Sequence, residues 1–126
     1  MRWQSKKRAA LMRRVKAERQ AFLEEARHCW VCGMNKATDT HEMACGSHRG
    51  AALDKRLAWL ATCSVCNCQL LTDYSIYPLS RQLAIKLYFD REHYDLPAFN
   101  QLRGRAPGAI AANEVLAWFD EEGELK

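Results

Sequence analysis

No stretch of this chain stays apolar for long before a charged or polar residue interrupts it. A membrane-spanning helix is therefore not expected, because one needs about 20 consecutive apolar residues. A secretory leader is not expected either: the start is basic, but no apolar core follows Arg14. Reduced cytoplasm is the expected compartment. There is no internal repeat and no low-complexity tract, and residues 4 to 27 contain neither glycine nor proline. Acidic groups are scarce in that same region. Residues 1 to 27 hold nine Lys and Arg against Glu18, Glu24 and Glu25, so the net charge of +4 hides a basic arm on a near-neutral body. Such an asymmetry suggests a polyanion partner, most simply nucleic acid, and the competing reading is a solvated helix face.

What is present points to one small globular domain over residues 1–126, with an ordinary hydrophobic fraction of 48%. Its core would be modest and would gain from a metal staple. Three parts are expected: a basic helix in 1–28, a cysteine-bearing segment in 29–74 and a helical segment in 75–126. Leu11, Val15, Phe22 and Ala26 recur at helical spacing, which predicts a helix over 4–27 whose first turns fray without a partner. Strands are expected over 36–44 and 57–62, joined through the loop Gly46-Ser47-His48-Arg49-Gly50. Helices are then expected over 63–74, 78–89, 96–102 with Asp95 as N-cap, and 112–119, with a loop over 103–108. The fold class is α+β and mainly helical.

The strongest signal is a pair of Cys-x-x-Cys turns, Cys29-Trp30-Val31-Cys32 and Cys63-Ser64-Val65-Cys66. Each turn lets two sulfurs reach one ion without strain, and four thiolates suit tetrahedral Zn²⁺. The gap between the pairs leaves room for a hairpin inside the clasp, and Gly33 gives the first turn its backbone freedom. Two disulfides or buried thiols are the alternatives. Cys45 and Cys68 are extra thiols, read as incidental.

A zinc turn, a hairpin whose first strand presents Thr40-His41-Glu42-Met43, and a helix opening on the second cysteine pair resemble the His-Asn-His (HNH) endonuclease family over about residues 29–74. The resemblance implies a zinc-stapled treble-clef, or ββα-metal, core. It also implies that Cys29, Cys32, Cys63 and Cys66 are structural. His41 then occupies the position of a metal ligand, Glu42 stands where a general-base His is expected, and Asn67, directly after Cys66, completes the catalytic metal site. Ala58 stands where an Asn is expected. Such a site hydrolyses phosphodiesters with a divalent ion (Mg²⁺, Mn²⁺, Ni²⁺ or Zn²⁺) that offsets charge on the phosphate.

Glu42 is a weaker base than His near neutrality unless its environment raises its pKa, and His41 could itself be the base. Strand alternation puts Asp39 on the face of His41, so Asp39 could supply the ligand instead. DNA is the expected partner, gripped by Lys6, Lys7, Arg8, Arg13 and Arg14, with Arg103 and Arg105 as a second contact and His48 and Arg49 near the phosphate. Two functions follow. One is a small, phage-like HNH DNA endonuclease; the other is a degenerate module of the same fold that binds nucleic acid, or a protein through its first helix, without cleaving. Trp3, Trp59 and Trp118 are the anchors a purely structural protein would use.

Overall fold

The computed structural model describes residues 2–43, 52–104 and 108–126, with side chains from Lys6 onward. Cys45, His48, Arg49 and Arg105, the loop through residues 46–50 and the side chain of Trp3 lie outside the described residues. Helix α1 spans Arg2–Ala26. Nothing in it breaks the backbone ladder, and Val15, Phe22 and Leu23 bury one side of it at the spacing of a single helical face. No described side chain before Val15 is buried. The helix ends where Arg27 takes a positive φ of 68°. The chain then folds back, with Ala37 N donating to Arg27 O at 2.9 Å and Cys29 N donating to Asn35 O at 2.9 Å. This closes a tight turn around Gly33, which also sits at positive φ.

Strand β1, Asp39–Glu42, runs antiparallel to β2, Trp59–Thr62, with Asp39 opposite Thr62 and Glu42 opposite Trp59. Both strands are shorter than their periodicity suggests. Lys36 pairs with His28 in the cysteine turn instead of continuing β1, and Arg56–Ala58 form a tight 3-10 turn ahead of β2. The first cysteine turn is tied to the hairpin by Trp30 N donating to Ala61 O at 2.9 Å.

Alternation along β1 sends Thr40 and Glu42 to one face and Asp39 and His41 to the other. On the first face lies α1, where Phe22 packs 5.5 Å from the Trp59 ring and 5.3 Å from Trp30. Behind the second lie a short helical turn ending in the π-type segment Cys66–Leu70, and helix α2, Leu79–Phe89. The helix expected as far as Tyr74 stops at Leu70. Asp73 offers the backbone a competing turn, accepting from Ser75 N at 3.1 Å through its side chain.

Helix α3, Leu96–Arg103, begins as expected, with Asp95 accepting from Ala98 N at 3.1 Å. Helix α4, Ala112–Leu116, is shorter than expected. Trp118 Nε1 instead donates to Ser80 Oγ at 3.0 Å, and Phe119 pairs with Leu125, so this end turns back onto α2. Trp59 and Trp30 are core residues, and Trp118 is half-buried. The core also holds a lysine: Lys86 on α2 is fully buried, its Nζ donating to Trp59 O at 3.0 Å. No helix among the described residues is long and apolar enough to cross a membrane.

Candidate metal centres

The four cysteines of the two turns converge. Their Sγ atoms all lie within 4.8 Å of one another, and Cys32 and Cys63 are 4.0 Å apart. Sulfurs about 2.3 Å from a tetrahedral zinc would be separated by roughly 3.8 Å, so the cluster fits such an ion closely. No disulfide joins these residues. Four soft sulfur donors could hold a metal ion such as zinc.

The surroundings already favour thiolate at two positions. Backbone N–H of Cys66 and the Asn35 side-chain amide hold Cys63 down to about 6, and backbone N–H groups of Asn35 and Met34 lower Cys32. Burial pushes the Cys66 thiol up. A bound dication would favour the thiolate there as well. Asn35 Nδ2 lies 3.6 Å from Cys63 Sγ and Val31 N donates to Cys29 Sγ at 3.4 Å, so the sulfurs are oriented by outer groups. Cys68, two residues beyond Cys66, is exposed and stands outside the cluster.

A second group of donors lies on the other side of the hairpin from α1. His41 Nδ1 is 3.0 Å from Asn67 Oδ1, and Asn67 Nδ2 is 3.4 Å from Asp39 Oδ2. Asp39 and His41 share a strand face, and the second cysteine turn carries Asn67 up to it. The ring of His41 is half-buried, and burial lowers its pKa against the opposing pull of its hydrogen-bond partners. Its other nitrogen, Nε2, is 2.8 Å from Oε1 of Gln82 on α2.

Glu42 belongs elsewhere. Its Oε1 accepts from Arg19 Nη2 at 2.8 Å on the α1 face, and the Arg19 guanidinium sits 5.0 Å over the Trp59 ring. The residue in the position of the expected base is thus ion-paired on the face opposite His41. Ala58, where an Asn is expected, is fully buried, and its carbonyl accepts from Met43 N at 2.7 Å. Backbone pairing holds the hairpin at this point.

Among the described residues, the basic candidates lie on elements other than the strand of His41. Lys6, Lys7 and Arg8 lie on the exposed early turns of α1, and Arg14 pairs with Glu18 at 3.3 Å and Asp54 at 3.1 Å. Arg13 lines a groove of about 480 Å³ between α1 and β1, together with Met12, Lys16, Arg19 and Thr40. That groove opens on the Thr40 side of the strand. Arg103 donates to Gly108 O at 3.0 Å and closes the loop after α3.

Comparison with protein-family models, with curated proteins and with solved structures gives no match for the chain. Of the motifs read in the sequence, the four cysteines are the group brought together as a possible metal site. Gln82 and Asn35 had no signature in the sequence, since both are ordinary amides that only packing brings to these positions. His93, unremarkable in the sequence, lies 3.0 Å from Asp90.

Proposed function

We propose that this chain is an HNH-like, treble-clef endonuclease that hydrolyses DNA phosphodiester bonds with a divalent ion, and that its four cysteines hold structural zinc. The reading rests on the 3.0 Å approach of His41 Nδ1 to Asn67 Oδ1. Two ligands at about 2.1 Å from an octahedral ion lie roughly 3.0 Å apart, so this is the spacing of two donors on one metal. Asp39, on the same face, adds a carboxylate to a set suited to Mg²⁺ or Mn²⁺.

When bound, the ion supplies electrostatic stabilisation of charge developing on the scissile phosphate and leaving oxygen. The chain's own part is to hold His41 and Asn67 in register through the zinc-clasped turns. Removal of a proton from the attacking water falls to Asp39, because both ring nitrogens of His41 are engaged, Nδ1 toward the ion and Nε2 with Gln82, and Glu42 is held by Arg19 on the other face. DNA is drawn in by the exposed lysines and arginines of α1, which reach beyond the packed half of the helix.

A second reading is a module of the same fold that binds nucleic acid, or a protein partner through α1, without cleaving. The Glu42–Arg19 pair favours it, since it removes the residue expected to act as base. Supercoiled plasmid incubated with the purified protein and Mg²⁺, Mn²⁺ or Ni²⁺ separates the two. The nuclease reading expects nicking that chelator and His41→Ala both abolish, with zinc content unchanged in the variant. DNA retention without cleavage by any ion establishes the binding module instead.

A further inference from the structure

Helix α2 presents a fully buried glutamine to the candidate site. Gln82 Nε2 donates to Leu71 O at 3.0 Å and to Tyr77 O at 3.0 Å, which uses both amide hydrogens. Turning the amide over would set Oε1 against two carbonyl oxygens and take the Gln82 donor from both. The oxygen of Gln82 is therefore locked toward His41, whose Nε2 lies 2.8 Å away. An acceptor that cannot rotate demands a donor, so Nε2 carries the hydrogen. In a neutral ring the other nitrogen is then bare.

We infer that Gln82 is a positioning residue: it holds His41 in the Nε2–H tautomer, so that the Nδ1 lone pair points at Asn67 Oδ1 and is free to bind a divalent ion. This rests on the metal-site reading above for its purpose; the tautomer rests on Gln82 being pinned by two carbonyls at 3.0 Å, against the single 3.4 Å bond that orients Asn67. Two lone-pair atoms facing each other at 3.0 Å repel unless a cation lies between them. Gln82 thus prevents the arrangement in which Nδ1–H would satisfy Asn67 and close the site. The role is that of an outer-shell ligand partner, the kind whose loss commonly costs 10–100-fold in metal affinity.

The test uses the full, zinc-loaded chain labelled with ¹⁵N, with His41 ring signals assigned by their loss in His41→Ala. Long-range ¹H–¹⁵N correlation of the metal-site-free protein should show a protonated Nε2 and a bare Nδ1. A protonated Nδ1 as the main form overturns the inference, whether or not any variant folds. Mn²⁺ titration should then broaden the His41 signals selectively, and Gln82→Met, which keeps the shape but removes the acceptor, should weaken that effect at least tenfold while Nδ1–H appears. A folded Gln82→Met with unchanged tautomer and unchanged Mn²⁺ affinity also overturns it. If wild-type His41 shows the Nε2–H tautomer but no response to Mn²⁺, the tautomer lock stands and the metal reading falls.

Discussion

Lys86 Nζ lies 2.6 Å from Asp90 Oδ2, with the lysine entirely shielded from water. Asp90 also accepts two hydrogen bonds from Arg56, each 3.1 Å long, and the lysine sits 5.3 Å over the Phe22 ring. The pair joins α2 to β2 and to the aromatic centre of the core.

Breaking the pair should cost far more than replacing it. Asp90→Asn leaves the buried Lys86 charge without its partner and should lower stability by about 3–5 kcal/mol, whereas Lys86→Met combined with Asp90→Asn should recover much of that. Urea unfolding of the two single variants and the double variant measures it. Equal losses in all three would show that the charges do not compensate one another.

The same pair sets two pH windows. Against the upward push of burial, Arg56 and Lys86 hold Asp90 down to about 2, below the ordinary value of 3.8, so its contribution is complete above pH 4 and is lost as pH falls through 2. That is worth about 2 kcal/mol, from roughly 1.4 kcal/mol per unit. Burial brings Lys86 down to about 8 from 10.5, so its charged form opposes folding and wild-type stability should rise between pH 8 and 10.5. Lys86→Met should lack that rise. Chemical denaturation from pH 2 to 10.5 reads both limbs.

Zinc should be stoichiometric and structural. The wild-type chain is expected to hold one zinc per molecule, and Cys63→Ser should lose the metal and the hairpin's protection from hydrogen exchange. Cys68→Ser, at an exposed thiol outside the cluster, should keep both. Retention of zinc by Cys63→Ser with loss in Cys68→Ser would mean that the sulfurs are wrongly assigned.

Glu42 and His41 should separate in a nicking assay. His41→Ala is expected to reduce nicking at least a hundredfold, because it removes a donor of the proposed catalytic metal site. Glu42→Gln keeps a hydrogen-bond acceptor for Arg19 and should stay within about threefold of wild type, with a stability loss of about 1–2 kcal/mol. A hundredfold loss of nicking in a folded Glu42→Gln would make Glu42 the base after all.

Arg27 offers a gain in stability. Its positive φ of 68° suits glycine, and its side chain is exposed. Arg27→Gly should therefore stabilise the fold by about 0.5–1 kcal/mol, because the left-handed strain outweighs the flexibility added to the unfolded chain. Thermal unfolding checks the sign.

DNA affinity should fall steeply with salt, by roughly one order in binding constant per order in salt for every phosphate neutralised. Replacing Lys6, Lys7 and Arg8 with Gln should reduce that slope by up to about three. A slope unchanged by the triple substitution would remove α1 from the interface.

Much of the frame could be read from composition and spacing because those signals are local. Cysteine turns report themselves by their two-residue gaps, α1 by the repeat through Val15 and Phe22, and α3 by Asp95 ahead of Leu96-Pro97. The shortfalls came where distant groups compete for the same backbone. The second cysteine turn was expected to open a longer helix, but Asp73 captures the chain; α4 was expected to reach Phe119, but that residue pairs with Leu125.

The sequence by itself determined the four-cysteine clasp, the basic arm, and the alternation that places Asp39 with His41, because each depends only on spacing along the chain. Only the tertiary structure decided which partners those residues meet. Packing of α1 on one face of the hairpin gave Glu42 to Arg19, and packing of α2 on the other gave His41 to Gln82. A strand fixes which side chains share a face, but what lies across that face is set by elements tens of residues away.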